Sequence, residues 1–156
     1  GLAMEITVEV NWDRHGAVFT DKRYSRAHTW QFDGGQIIPA SASPHIVPLP
    51  YSVEANVDPE EAYIAAISSC HMLTFLSLAA PGGLVVDSYT DKATGIMEKV
   101  NGKLIVNRVH LDPVIVYVGE QPTAELEAEL HHRAHEECFI ANSVKTDIRV
   151  VRRQSP

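Results

Sequence analysis

The chain has no lysine- and arginine-rich block: 13 basic residues stand against 20 acidic ones, for a formal net charge of −7. That leaves no electrostatic footprint for phosphate backbones or anionic bilayers, so neither nucleic acid nor a membrane is an expected partner. No apolar run reads as long enough to span a bilayer, and no basic-then-apolar leader marks a secretory signal. Gly1-Leu2-Ala3 ahead of Met4 reads as an expression scar. Internal repeats and low-complexity tracts are absent. Cysteine is scarce, with two in 156 residues. In a chain read as cytoplasmic, such a pair is expected to be reduced, and to be catalytic, redox-active or metal-binding sooner than a structural staple.

What is there is an ordinary globular composition, 45% hydrophobic and 21% charged, that predicts a single domain over residues 1–156. Ile6, Val8, Val10 and Trp12 alternate with polar residues as in a half-buried strand, and Arg14-His15-Gly16 reads as the turn that follows. Residues 24–32 alternate again, which would place Tyr24, Arg26, His28, Trp30 and Phe32 on one face, with a turn at Gly34-Gly35. The stretch from Pro39 to Pro50 reads as a surface loop.

Asp58-Pro59-Glu60-Glu61 is a helix start, with a capping acid, proline at the first helical position and a glutamate three residues after the cap. The helix should run to about Ala80, and its apolar body marks it as buried and central before Pro81-Gly82-Gly83 ends it. Two long strands, Leu84 to Glu98 and Leu104 to Val118, should meet in a hairpin at Asn101-Gly102. Thr123 caps a second helix that ends near Cys138, and a last strand covers about 143–151. The fold class is α+β, with two central helices on a mostly antiparallel sheet.

A free thiol is mostly protonated at neutral pH, so a nucleophilic cysteine needs a cation, a helix N-terminus or a metal. Cys70 lies twelve residues past Asp58, beyond the reach of its own helix dipole. A cation must therefore come from elsewhere. Arg26 is one candidate, since a guanidinium on an inward face needs an acidic partner; the plainer alternative makes it a snorkelling side chain at a sheet edge. Glu60 is a possible partner, but ten helical residues put it roughly 15 Å from Cys70, so an arginine would have to bridge them or a second chain contribute. Cys70 itself has a bland alternative, that of a small buried hydrophobe.

The run from Asp58 to Leu73, DPEEAYIAAISSCHML, resembles the cysteine helix of OsmC/Ohr proteins, and Ala134-His135-Glu136-Glu137-Cys138 resembles their second cysteine segment. The resemblance implies a cofactor-free thiol peroxidase working as an intertwined homodimer. Cys70 would be the peroxidatic cysteine, Cys138 the resolving one, and Glu60 the residue that orients a catalytic arginine. Arg26 matches the position used by the OsmC-like branch, which this chain resembles more, and Arg14 that of the Ohr branch. Implied partners are an organic hydroperoxide, favoured by the apolar neighbours of the cysteines, and a dithiol reductant, possibly of lipoyl type. His71 stands where a Phe is common and Phe139 where a Pro is common. A histidine next to Cys70 on a helix faces another direction, so a structural role is expected for it.

Two other readings remain. His131, His135 and Cys138 recur at helical spacing and make a candidate three-ligand metal cluster. Alternatively, apolar surface around the first helix would suit a non-catalytic binder of a lipid-like ligand.

Overall fold

A computed structural model describes residues 3–151 of the chain; Gly1 and Leu2 of the leader read as a scar lie outside the described residues. Two compact units result, one ending at Ala62 and one beginning at Tyr63.

The first unit is a three-stranded antiparallel meander of β1 (Val8–Asn11), β2 (His28–Phe32) and β3 (Ile37–Ala40). Trp30 stands opposite Val10 on one side and Ile38 on the other. Both expected strands are shorter than their alternation suggested. In the second, Tyr24 and Arg26 precede the strand, because the Arg26 N–H donates to the Tyr51 carbonyl at 2.9 Å instead of joining the sheet ladder. Arg26 therefore does not share a strand face with Trp30 and Phe32. The turn after β1 is as expected, with His15 at φ 51° and Gly16 at φ 74°, left-handed conformations that glycine adopts freely and histidine seldom.

Helix α1 (Pro59–Ala79) starts at a reciprocal cap: Asp58 Oδ1 accepts from the Glu61 N–H at 2.9 Å, and Glu61 Oε1 accepts from the Asp58 N–H at 3.2 Å. It stops where Gly83 turns left-handed. Its composition makes it long and apolar enough to cross a membrane, which corrects the reading of the bare sequence. It is buried on one stripe only, Ile67, His71, Phe75 and Ala79. These residues recur every four positions, and the faces left over, Leu73 at 60% exposure among them, are not covered within one chain.

In the second unit the two long strands each break in the middle. β4 (Val85–Asp91) pairs with β7 (Pro113–Val118), and β5 (Thr94–Val100) pairs with β6 (Lys103–Leu111). The tight turn at Asn101 (φ 52°) and Gly102 (φ 77°) closes the β5–β6 hairpin as the sequence predicts. At the break, Asp91 Oδ1 accepts the Asp112 N–H at 2.6 Å, and the other oxygen of Asp91 accepts from the Ser68 hydroxyl on α1. Helix α2 (Ala124–Glu137) is capped by Thr123, whose hydroxyl accepts from the Leu126 N–H at 3.1 Å. A short 3-10 turn (Ala141–Ser143) leads to β8 (Asp147–Val150), which joins β6 in parallel.

Two apolar clusters position α1. Ile67 packs with Val109, Leu111 and Ile148 of the β5–β6–β8 sheet, whereas Phe75 and Ala79 pack with Leu130 and Ala134 of α2. Each fully buried large side chain contributes about 1.5–3 kcal/mol relative to exposure. Residues 70 and 71 fall between the two clusters, at the crossing from sheet contact to helix contact.

Candidate active site

Cys70 is held mid-helix, where Thr74 Oγ1 donates to its carbonyl at 2.8 Å. Cys138 is the C-cap of α2, with φ −67° and ψ 120°. Its ψ turns the chain out of the helix after Cys138, while its helical φ leaves the thiol on the face of α2 that carries His131. The turn is fixed on both sides: the Cys138 N–H donates to Ala134 O at 2.9 Å, and the Asn142 N–H donates to Cys138 O at 3.0 Å. The Ala141 N–H donates to Cys138 Sγ at 3.4 Å.

Both cysteines are free, and their sulfurs stand 2.6 Å apart. Cys138 Sγ acts as donor and Cys70 Sγ as acceptor. Cys138 is 1% exposed, while Cys70 is half-buried. Burial pushes the Cys138 thiol up from its ordinary pKa, and the contact with Cys70 pushes it further. The arrangement is asymmetric: burial favours the protonated form of Cys138, and Cys70 is the more accessible of the two.

One position along α1, a second bridge joins the same two helices. His71 Nε2 and His131 Nδ1 are 2.9 Å apart, with the rings near parallel, 9° between planes. His71 is 2% exposed. Burial chiefly, with His131 and His135 adding repulsion and Asp91 partly opposing, lowers its pKa to about 4. A cavity of about 320 Å³ lined by His71, His131, His132, His135 and Arg149 opens beside the pair.

The residues of the first unit are placed as follows. The Arg26 guanidinium donates through Nη1 to the carbonyls of Lys22, at 2.8 Å, and Tyr24, and lies 3.7 Å from the centroid of the Tyr24 ring. It lines a cavity of about 490 Å³ with Val10, Trp12, Phe19, Tyr24 and His28. Arg14 Nη1 donates to Ala17 O at 2.6 Å within its own turn. Glu60 sits half-buried in the first turn of α1. Among the described residues, no ion pair includes Arg14, Arg26 or Glu60.

The alternative metal set does not assemble: among the described residues, no group of three or more His, Cys, Asp or Glu is placed to hold a metal ion. His131 turns to His71, Cys138 turns to Cys70, and His135 is exposed. Both histidines of the second bridge stand out in the sequence, but the bridge between them does not. Its signal was that His71 follows Cys70 and His131 precedes Cys138 by two helical turns. Ser68 and Asp91 gave no signal at all.

The model of the family of OsmC-like proteins matches residues 53–151. The chain belongs to that family. An OsmC-like protein of unknown function from Vibrio cholerae is 55% identical, with a TM-score of 0.92 over 96% of this chain and 99% of that one. An organic hydroperoxide resistance protein from Legionella pneumophila is 13% identical, with a TM-score of 0.68 over 96% of this chain and 97% of the other. One from Elizabethkingia anophelis is 14% identical, with a TM-score of 0.68 over 97% and 99%. At such low identity the last two show the fold alone, and that fold is the expected α+β one. Comparison with curated proteins gives no match. OsmC-like membership covers both cysteines, Glu60 and all of the second unit that is described.

Proposed function

We propose that this OsmC-like protein is a cysteine-based peroxidase that reduces organic hydroperoxides to alcohols in the cytoplasm. The observation that carries the proposal is the 2.6 Å approach of Cys138 Sγ to Cys70 Sγ, with Cys138 as donor. The Cys70 thiolate attacks the distal peroxide oxygen, the O–O bond breaks, and the alcohol leaves with a proton. Cys70 becomes a sulfenic acid. Cys138 attacks that sulfur, forming the Cys70–Cys138 disulfide and releasing water. A dithiol reductant, of lipoyl type in this reading, exchanges with the disulfide and returns both thiols.

The asymmetry of the pair supports the division of roles, since the more accessible Cys70 meets substrate and the buried Cys138 waits. Arg26 is assigned the stabilisation of the Cys70 thiolate and the departing alkoxide, from its own chain or from a partner's, with Glu60 orienting it. Arg14 is the alternative. The aromatic cavity that holds Arg26 suits an organic group. A homodimer is part of the proposal. Apolar side chains left uncovered in one chain support it: Phe139 is 82% exposed, and Val85, Val114, Val116 and Val118 are each roughly half exposed.

The test is a single-turnover reaction of the reduced protein with cumene hydroperoxide and with hydrogen peroxide, followed by thiol counting and mass. Loss of two thiols per chain, faster with cumene hydroperoxide, is expected. No loss with either peroxide sinks the proposal.

A further inference from the structure

Cys70 and His71 are neighbours on α1, and the residues that meet them, Cys138 and His131, lie on one face of α2, seven positions apart. The two helices are thus joined twice, once by sulfur and once by imidazole. Packing of Phe75 and Ala79 against Leu130 and Ala134 holds the helices together without fixing their register to a fraction of an ångström. A directional bond does that. His71 and His131 are 2% and 8% exposed, so the bond is shielded from most of the solvent and its loss is costly.

We propose that the His71–His131 hydrogen bond is a positioning device for the thiol pair, setting α2 on α1 so that Cys138 meets Cys70. Neither histidine touches the reacting sulfur in this account; both act through the helices that carry the cysteines. The proposal rests on the two-cysteine reading, but its test needs no peroxide.

The bridge also has an acid limit. A neutral imidazole must accept the proton that the other donates, so protonating both leaves two donors facing each other. His135 and His132 of α2 and Arg149 of β8 stand around the pair, and Asp91 at the end of β4 is the acid acting on it. His132 is already paired with Glu136 at 2.9 Å, and Arg149 with Asp147 at 3.0 Å. Burial chiefly, with His131 and His135 against Asp91, keeps His71 neutral until pH falls towards about 4, where the bridge opens.

The measurement is the equilibrium of the full chain with glutathione: two thiols and one oxidised glutathione give the Cys70–Cys138 disulfide and two reduced glutathiones. The constant is the effective concentration of one thiol at the other. His71→Phe or His131→Phe should lower it about tenfold at pH 7, the worth of one buried hydrogen bond. His131→Asn and His71→Gln should hold it near wild type, because their amide groups reach the positions of Nδ1 and Nε2. Phenylalanine variants equal to wild type overturn the proposal. So do Asn and Gln variants that fall as far as the phenylalanine ones.

Acid supplies a second test on the unmutated chain. The wild-type constant should drop between pH 6 and about 4, whereas the His71→Gln/His131→Asn double variant, having no imidazole in the bridge, should show no such drop. Parallel curves overturn the proposal. An intact histidine effect in a protein inert to peroxides would remove the peroxidase reading alone.

Discussion

Cys138 Sγ lies 2.6 Å from Cys70 Sγ, although 67 residues of chain, including four strands, separate the two positions. The helical φ of Cys138 and the bond from its N–H to Ala134 O keep its side chain in the helical series of α2, two turns past His131 and on the side that meets α1.

The two cysteines should fail differently when removed. Cys70→Ser should abolish peroxide consumption outright. Cys138→Ser should still oxidise once, then stop as a Cys70 sulfenic acid that gains one oxygen in mass and is trapped by dimedone. Equal residual turnover in both variants would contradict the assigned order.

The arginines can be separated by steady-state kinetics with an organic hydroperoxide. Arg26→Ala should reduce kcat/KM by about 100-fold or more, the scale of one lost transition-state donor. Arg14→Ala should leave it unchanged. The reverse pattern would reassign the role to Arg14.

Gly95 on β5 sits against α1: a Cβ there would overlap Cδ1 of Ile64 and stand 2.8 Å from its Cγ1. The end of a flexible side chain can give, so Gly95→Ala should destabilise by about 1–3 kcal/mol without preventing folding. Urea unfolding would read this, and Gly95→Ala/Ile64→Val should recover part of the loss.

The buried His71 makes stability depend on pH. Its folded pKa, about 4, lies below the usual value of 6.5, so between those two values the unfolded chain binds more protons. Stability therefore rises with pH through that window and is lost on acidification, by on the order of 3 kcal/mol if His71 stays neutral until about pH 4. Carboxylates titrate in the same range. The discriminating comparison is His71→Phe, whose unfolding free energy should fall less steeply from pH 7 to 4.5 than that of wild type.

The sequence by itself determined the α+β class, both helices and their N-caps, and the Asn101-Gly102 hairpin. These are local matters: a capping acid, a proline at the first helical position and glycine at positive φ act within a few residues. Family resemblance through the cysteine helix rests on contiguous residues as well. Tertiary structure decided the rest. The strand expected over 24–32 lost Arg26 because Tyr51, far along the chain, took its N–H. The long strands broke where Asp91 takes up the Asp112 N–H and the Ser68 hydroxyl, groups with no sequence relation to one another. His131 left the candidate metal set because His71 offered a buried partner. Periodicity specifies which way a side chain leaves its own element, but which group waits there depends on elements brought together across the chain, and a buried polar group must take the partner that folding supplies.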